Sequence, residues 1–389
     1  MPDEPDAIAP RRMAGRVSEL DGIRGLAILL VLIHHYFGLQ VPELSDGSWI
    51  AVARRATRLS WSGVDLFFVL SGFLIAGILL DHRKASNVYH VFYFRRATRI
   101  LPLYLLTLAA YYTCVALGLA TDPRHEFLFA SAAMTAGDTA PPLWRYLTFT
   151  QNFAGPMPVF LAATWSLAVE EQFYLVFPAI ALTIPRKWLV LVCLAVVMTA
   201  FATRFAGHEY GNVGGTFYRM DGLGLGVLVA IAVRWPSTQA IFARFRVLSY
   251  AALACLVGLV SAASWNAWQG PWLITLFGAA FAVLVLTAFL DRGSARTWIL
   301  RTPPLVHLGN LSFALYLFHM PVVGLVHGWF DGSAPNWAKP NGMRLTLAAL
   351  LISIVLAEIS RRCFERPFLA YGKRLRYRSH DAPRPLRES

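Results

Sequence analysis

The sequence predicts an all-α protein, a polytopic transmembrane bundle of about ten helices with both termini in the cytoplasm. Three observations support this prediction. The 389 residues are 57% hydrophobic and 15% charged, with a mean hydropathy of +0.51, whereas soluble domains carry about 25% charged residues. Ten windows approach or reach the roughly 20 apolar residues that a membrane-spanning helix requires. Lys and Arg are concentrated in alternate loops.

The ten apolar windows account for most of the chain. They lie at 21–40, 62–81, 99–120, 165–184, 188–206, 217–234, 247–263, 271–290, 305–329 and 344–364. Pro and Gly interrupt the stretch 141–161, so we expect a re-entrant or surface segment there rather than a span. These windows predict a cytoplasmic tail at 1–18, one transmembrane domain at 19–370, and a basic, disordered cytoplasmic tail at 371–389.

The distribution of basic residues predicts the orientation of the bundle. Ten spans place both termini on one side, and the loops on that side contain 25 of the 35 Lys and Arg residues. The loops on the other side contain 9, and Arg24 lies within the first window. The positive-inside rule therefore places the termini in the cytoplasm. The net charge of +13 is then explained by loops that face anionic lipid, and it does not indicate a nucleic-acid partner.

The first window contains three basic side chains within an apolar stretch. Arg24 lies near the cytoplasmic end, and His34 and His35 lie in the outer half of the membrane. Arg24 and His35 are eleven residues apart, so they share one helix face about 16 Å apart along the axis. His34 points about 100° away from His35. Ionisable residues in a membrane are rare and usually face a cavity or a partner, so both Arg24 and His35 are functional candidates.

Other windows place further polar groups near the depth of the histidines. These residues are Asp65, Glu170, Arg219, Asp221, Tyr316 and His319. A histidine beside carboxylates in a cavity is a candidate general base, so we predict His35, Asp65 and Glu170 as catalytic residues. The other four residues are predicted to contact substrate. Each residue taken alone also has a structural interpretation, such as a helix cap or an ion pair at the mouth of a helix.

A basic cluster precedes the third window. Arg95, Arg96 and Arg99 open this helix, and the i,i+4 spacing places Arg95 and Arg99 on one face. One interpretation is ordinary positive-inside charge. The other is an anion site, because guanidinium groups bind phosphate and a helix N-terminus adds a favourable dipole. An anion site on one side and a base near the other indicate group transfer from a phosphate-bearing donor to a hydroxyl. The residues alone do not select acyl transfer over transfer of other groups.

Seven motifs resemble those of acyltransferase-3 membrane proteins, the O-acyltransferases of bacterial surface glycans and some antibiotics. They occur in the order of the family and extend over almost the whole chain. The motifs are LDGIRGLAILLVLIHHYF (20–37), GVDLFFVLSGFLI (63–75), FRRATRILPLY (94–104), WSLAVEEQFYLVFP (165–178), YRMDGLGLG (218–226), SFALYLFHMP (312–321) and ERPF (365–368). One such motif is a weak signal, whereas seven in sequence are a specific one.

The resemblance implies an acyltransferase for groups other than amino-acyl groups, located in the bacterial cell (inner) membrane. It implies acyl-CoA, most often acetyl-CoA, as co-substrate, no permanently bound cofactor or metal, and a glycan or lipid-linked sugar as acceptor at the outer face. The family has an Arg that is followed, after ten intervening residues, by a His. This pattern matches Arg24 and His35 and implies that His35 is the base. The arginines before the third window would bind the donor, and the carboxylate of the SLxxE-type motif is Glu170.

Two other classes of membrane protein compete with this interpretation. A proton-coupled carrier or exporter of a glycan or small molecule would explain His35 together with Asp65 and Glu170, but it would not explain the arginine cluster. A glycan-polymer ligase would need a large outer loop, for which 121–164 is the candidate. Acetyl transfer that is lost in His35→Ala separates the first interpretation from both alternatives, and substrate movement without chemistry favours the carrier.

Overall fold

The computed structural model describes residues 16–41, 48–130, 140–155, 157–206, 214–265, 270 and 272–378. Within these residues the protein is built of helices and loops. The α-helices are α1 Ser18–Ile33, α2 Trp49–Ala56, α3 Gly63–Asp81, α4 Val88–Ala116, α5 Glu126–Phe129, α6 Leu143–Leu147, α7 Thr164–Thr183, α8 Arg186–Ala206, α9 Thr216–Ala232, α10 Thr238–Trp265, α11 Trp272–Leu290, α12 Pro303–Asp331, α13 Gly342–Ile359 and α14 Arg366–Gly372. Segments of π-helix follow α1 at His34–Gly38 and α13 at Ser360–Glu365. Turns of 3₁₀-helix lie at Ser60–Ser62, Gln151–Phe153, Val159–Leu161 and Ala295–Arg301.

Eight helical segments in the described part of the chain are long and apolar enough to cross a membrane. They are Ser18–Gly38, Trp49–Asp81, Val88–Ala116, Arg186–Ala206, Thr238–Leu259, Trp272–Leu290, Pro303–Asp331 and Gly342–Gly372. The remaining two predicted windows form α7 and α9, so all ten windows are helical. Two helices begin earlier than predicted, α4 at Val88 instead of 99 and α10 at Thr238 instead of 247. The stretch 141–161 contains only short helical turns.

Helices α1 and α12 and helices α3 and α9 form the closest helix pairs around the site. A Cβ atom on Gly25 of α1 would lie 2.0 Å from the carbonyl oxygen of Leu305 at the start of α12. A Cβ atom on Gly72 of α3 would lie 2.1 Å from the carbonyl oxygen of Leu223 of α9. Small residues permit this backbone contact between membrane helices. The glycines in these motifs therefore set the spacing of the helices that carry the candidate residues.

Two apolar clusters fill opposite halves of the bundle. The first cluster contains side chains from the first half of α1 and mainly the second half of α3, including Leu20 and Leu79. The other uses the second half of α1 and the first half of α3, including Val31 and Val64. Because α1 and α3 are antiparallel, these clusters lie toward different ends of the helices. Residues that pack against both clusters mark the level between them, and they include Phe67, Phe173 and Phe313.

The start of the predicted C-terminal tail packs against the turn between α3 and α4. Asn87 Nδ2 donates to the carbonyl of Arg376 at 3.0 Å, and its Oδ1 accepts from the backbone N–H of Arg378 at 3.0 Å. The ring of Tyr377 stacks on His82 with centroids 3.8 Å apart. Residues 379–389 lie outside the described residues, so the disorder predicted there stays a prediction.

Candidate active site

A cavity of about 110 Å³ lies between α1, α3, α4, α7 and α12, at the level where the two apolar clusters meet. Half of the residues that line it are apolar. The polar residues in its wall are Arg24, Ser71, Arg96, Arg99, Ser166, Glu170, Tyr174, Ser312 and Tyr316. This wall combines three guanidinium groups with one carboxylate and five hydroxyl groups. It suits a ligand that carries both negative charge and a small apolar group.

Three arginines from two helices give the cavity its positive charge. Arg24 Nη1 donates to Asp21 Oδ1 at 2.7 Å, one turn earlier on α1. Within the described residues, Arg96 and Arg99 of α4 form no ion pair with a carboxylate. Their guanidinium groups therefore remain available to an anionic ligand, for which the forked geometry of Arg is well suited.

Two details of the predicted anion site are wrong. Helix α4 begins at Val88, so the arginines lie about two to three turns into the helix and the helix N-terminus adds nothing to the site. Arg95 lies outside the cavity: its Nη2 donates to the carbonyl of Leu375 at 2.7 Å, and its guanidinium lies 5.1 Å from the ring centre of Tyr377. The two arginines that line the cavity from α4 are Arg96 and Arg99, spaced i,i+3.

A chain of hydroxyl groups leads from the carboxylate into the cavity wall. Tyr174 donates its hydroxyl proton to Glu170 Oε2 at 2.8 Å, as their shared helix face predicts. The Tyr174 oxygen also lies 2.5 Å from Ser71 Oγ of α3. A second pair, Ser166 Oγ and Tyr316 Oη, are 2.6 Å apart and join α7 to α12. Glu170 thus lies in the cavity wall, and its hydrogen-bond partner among the described residues is the Tyr174 hydroxyl.

His35 lies in the π-helical turn that ends the first span. Its Nδ1 is 2.9 Å from the carbonyl oxygen of Val31, and a carbonyl can only accept, so Nδ1 carries the proton. The Nε2 lone pair is then free to accept a proton from another group. Gln40 supports this turn, since its Nε2 donates to the His35 carbonyl at 2.8 Å and its Oε1 accepts from Thr346 Oγ1 at 2.5 Å.

His319 connects His35 to the cavity. Its side chain is fully buried, its Nδ1 donates to the carbonyl of Tyr316 at 2.7 Å, and its Nε2 has no hydrogen-bond partner among the described residues. The ring centre of His319 lies 4.8 Å from that of His35 and 5.9 Å from that of Tyr316. His35 itself is not part of the cavity wall, so Tyr316 and His319 form the link between the cavity and the candidate base. His34 lies on the other side of His35, with ring centres 4.9 Å apart.

Asp65, which the sequence predicts as a catalytic residue, hydrogen bonds to an arginine and not to His35 within the described residues. Its Oδ1 accepts from Arg219 Nη1 at 2.9 Å, and the two side chains are only 3% and 7% exposed. The Arg219 guanidinium lies 5.4 Å from the ring centre of Trp61 and 5.3 Å from that of Trp165. This buried pair joins α3 to α9, where both residues have a structural role.

Asp221 also belongs to an ion pair between helices. Its Oδ2 accepts from Arg204 Nη2 at 2.7 Å and from Thr275 Oγ1 at 2.8 Å. The pair links α8 and α9 to α11, and it lies outside the cavity wall. Arg219 and Asp221 therefore bond to partners on other helices, and the predicted substrate contact receives no support from their position.

Several residues of the site were missed in the sequence, and local spacing could have found most of them. Ser166 precedes Glu170 by four residues and Ser312 precedes Tyr316 by four, so each shares a helix face with a predicted residue. Asp21 precedes Arg24 by three residues, which again predicts a pair. The support that Gln40 gives to His35 has no such signal, because it depends on the π-helical turn.

Comparisons with known proteins identify a family and relatives for this chain. The acyltransferase domain family model Acyl_transf_3 matches residues 17–359. A Staphylococcus aureus (strain MRSA252) protein, provisionally named O-acetyltransferase SAR0937, is 28% identical over 95% of this chain and 60% of its own length. O-acetyltransferase OatA of S. aureus (strain NCTC 8325) is 25% identical over 94% of this chain and 58% of its own length.

The chain thus spans about 60% of the length of these curated relatives. No solved structure shows a significant match to it. The residues matched by the family model include Arg24 and His35 of the first span, the helices around the cavity, and His319 of α12. On the strength of that match, the chain belongs to the acyltransferase-3 family.

Proposed function

We propose that the chain is an integral-membrane O-acyltransferase with ten spans and both termini in the cytoplasm. It moves an acyl group, most simply acetyl, from cytoplasmic acyl-CoA to a hydroxyl of a surface glycan or a similar acceptor. The observation that carries the proposal is the cavity: three arginines line it, and Tyr316 and His319 connect it to His35. Membership of the acyltransferase-3 family and the names of the relatives support the same reaction.

The donor would bind with its phosphates near the arginines and its acyl group in the cavity. Coenzyme A carries several negative charges, and Arg24, Arg96 and Arg99 offer a matching set of cationic donors. A cavity of about 110 Å³ accommodates a small acyl group and the adjoining arm, and it leaves the nucleotide at the surface. The arginines hold the donor equally well before and during the reaction, so they contribute to binding more than to the chemical step.

His35 would act as general base toward the acceptor. Its Nδ1–H is held by the Val31 carbonyl, so Nε2 takes the proton from the acceptor hydroxyl while the hydroxyl oxygen attacks the acyl carbonyl. The excess of Lys and Arg in the loops on the side of the termini predicts that His35 lies toward the outer face, where a surface glycan would approach. The imidazolium returns its proton to solvent after the transfer.

The direct test uses purified protein with radiolabelled acetyl-CoA and a soluble oligosaccharide. We expect acetylated oligosaccharide from the wild type and none from His35→Ala that elutes as the same folded species. A wild type that moves the oligosaccharide across vesicle membranes without acetylating it would instead support the proton-coupled carrier. Mass spectrometry of surface glycans from a deletion strain would identify the natural acceptor through a lost acyl mass.

A further inference from the structure

Three serines line the cavity, and only one of them has a path for its proton to a carboxylate. Ser312 Oγ donates to the backbone carbonyl of Gly309 at 2.9 Å. Ser166 Oγ lies 2.6 Å from Tyr316 Oη, and no carboxylate continues that pair among the described residues. Ser71 Oγ lies 2.5 Å from Tyr174 Oη, which in turn contacts Glu170. A hydroxyl linked to a base through an oriented partner is the arrangement of an activated nucleophile.

The direction of the hydrogen bonds follows from counting protons. Tyr174 has one hydroxyl proton, and with Glu170 ionised it donates this proton to Oε2 at 2.8 Å. Ser71 must then donate to the Tyr174 oxygen, because that oxygen can only accept a second bond. The chain therefore runs from Ser71 through Tyr174 to Glu170. Ser71 Oγ retains its lone pairs, and Ser71 lines the same cavity as the three arginines.

We propose that Ser71 is a covalent carrier of the acyl group between donor and acceptor. This inference rests on the proposed function, and it extends that function from a single transfer to two. An acyl ester on Ser71 holds the acyl group within the cavity after coenzyme A has left. Donor and acceptor then never need to be bound at the same moment.

The first transfer forms the bond between Ser71 Oγ and the acyl carbon and breaks the carbon–sulfur bond of the thioester. The Ser71 proton passes to Tyr174 as the Tyr174 proton passes to Glu170, and the departing thiolate takes a proton from solvent.

The second transfer reverses these proton movements. The acceptor hydroxyl gives its proton to His35 Nε2 and attacks the ester carbonyl. The bond between Ser71 Oγ and the acyl carbon breaks, and the serine regains its proton from Tyr174, which regains its own from Glu170. No oxidant, reductant or metal takes part, and the net reaction is acyl transfer from thioester to hydroxyl.

The test is peptide mass spectrometry of folded protein incubated with acetyl-CoA and no acceptor. We expect the mass of one acetyl group on the peptide that contains Ser71, and in His35→Ala this label should persist after the acceptor is added, because the second transfer is blocked. The label should disappear from the wild type when the acceptor is added. Ser71→Ala should carry no label and should transfer acetyl at least about 100-fold more slowly, since loss of a nucleophile commonly costs more than that.

Three further variants keep the test independent of folding. Ser249→Ala removes a hydroxyl of α10, which donates to the Phe245 carbonyl outside the cavity wall, and should retain the label on the Ser71 peptide. Ser71→Cys should carry its acetyl group as a thioester, which neutral hydroxylamine removes, whereas the ester on Ser71 resists this treatment. Tyr174→Phe should slow formation of the label by about 100-fold or more, the scale of general acid–base catalysis.

The outcomes separate this inference from the proposed function. Acetyl transfer by the wild type, with no label in His35→Ala and with Ser71→Ala within threefold of wild type, would overturn the covalent carrier and leave the transferase intact. A label on a different residue would also overturn it. Failure of the wild type to transfer or hydrolyse acetyl-CoA would overturn the proposed function, and the covalent carrier with it.

Discussion

At the scale of single residues, the structure distinguishes two adjacent histidines that composition cannot separate. His35 bonds to the Val31 carbonyl through Nδ1 and contacts the ring of His319, whereas the ring of His34 contacts that of His35. The histidine that can pass a proton toward the cavity is therefore His35. The family pattern that spans from Arg24 selects the same residue.

Substitution of each histidine tests this assignment. His35→Ala should reduce kcat for acetyl transfer by about 100-fold or more, because a positioned general base contributes roughly 10²–10⁴-fold. His34→Ala should reduce it by less than tenfold, since that ring is not in the link to the cavity. Steady-state rates of the purified variants decide the matter, and an inactive His34→Ala with an active His35→Ala would reverse the assignment.

The arginines give a second prediction at this scale, and the control, Arg95, is one residue from Arg96 and four residues from Arg99. Arg96→Ala and Arg99→Ala should each raise KM for acetyl-CoA more than they lower kcat, because they bind the donor in both ground and transition states. Arg95→Ala should leave KM close to wild type, because its guanidinium contacts Leu375 and Tyr377. Donor titrations of the three variants would contradict the site if Arg95→Ala gave the largest rise in KM.

At the scale of helices, backbone contact at glycine determines how closely α3 and α9 approach. A Cβ atom on Gly72 would lie 2.1 Å from a backbone oxygen, whereas nothing lies within 4 Å of the Cβ position at Gly258 of α10. Gly72→Ala should therefore lower the melting temperature in detergent by several degrees, since overpacking costs about 1–3 kcal/mol or more. Gly258→Ala is the matched control and should leave it unchanged or slightly higher. Equal melting temperatures for both variants would refute the close contact.

The Asp65–Arg219 pair gives a second prediction for the same helices. Removal of one member leaves a buried charge without its partner, which costs about 3–5 kcal/mol. Arg219→Met should thus destabilise the protein strongly, and Asp65→Asn in the same chain should restore much of the loss. The measurement is thermal unfolding of both single variants and the double variant. If Asp65 instead acted directly in catalysis, the double variant would regain stability without regaining acetyl transfer.

The helices were predictable from sequence because each depends on a local property, an apolar stretch of sufficient length. The start of α4 was not, because Val88 begins a turn of mixed polarity that hydropathy does not separate from the loop before it. The difference of eleven residues is about three helical turns, so the N-terminus of α4 lies away from Arg96 and Arg99. The π-helical turn at His34–Gly38 was equally invisible, since it depends on contacts with α13.

The sequence did not predict which residues of different helices contact each other in the site. Asp65 and Arg219 are 154 positions apart, and depth alone placed Asp65 equally close to a histidine and to an arginine. The link from Ser71 to Tyr174 joins residues 103 positions apart. Depth in the membrane predicts which groups share a level, whereas the packing of helices decides which of them touch.

At the scale of the whole molecule, the distribution of basic residues predicts which loops face the cytoplasm. Lys84 is exposed in the turn between α3 and α4, and Ala334 is exposed in the loop between α12 and α13. In a chain whose native cysteines are replaced by alanine, an impermeant maleimide added to intact cells should label Ala334→Cys and spare Lys84→Cys. Permeabilised cells provide the control for reactivity. The reverse pattern of labelling would place the termini outside the cell.

The central claim is that the protein joins a donor on the side of its termini to an acceptor on the other side through His35. Proteoliposomes with the oligosaccharide trapped inside and radiolabelled acetyl-CoA added outside test it most directly. Protein molecules inserted with their termini on the outside of the vesicle should acetylate the trapped oligosaccharide. The His35→Ala variant at equal protein content should not. The claim would be contradicted if the wild type left the trapped oligosaccharide unacetylated, or if His35→Ala acetylated it at the same rate.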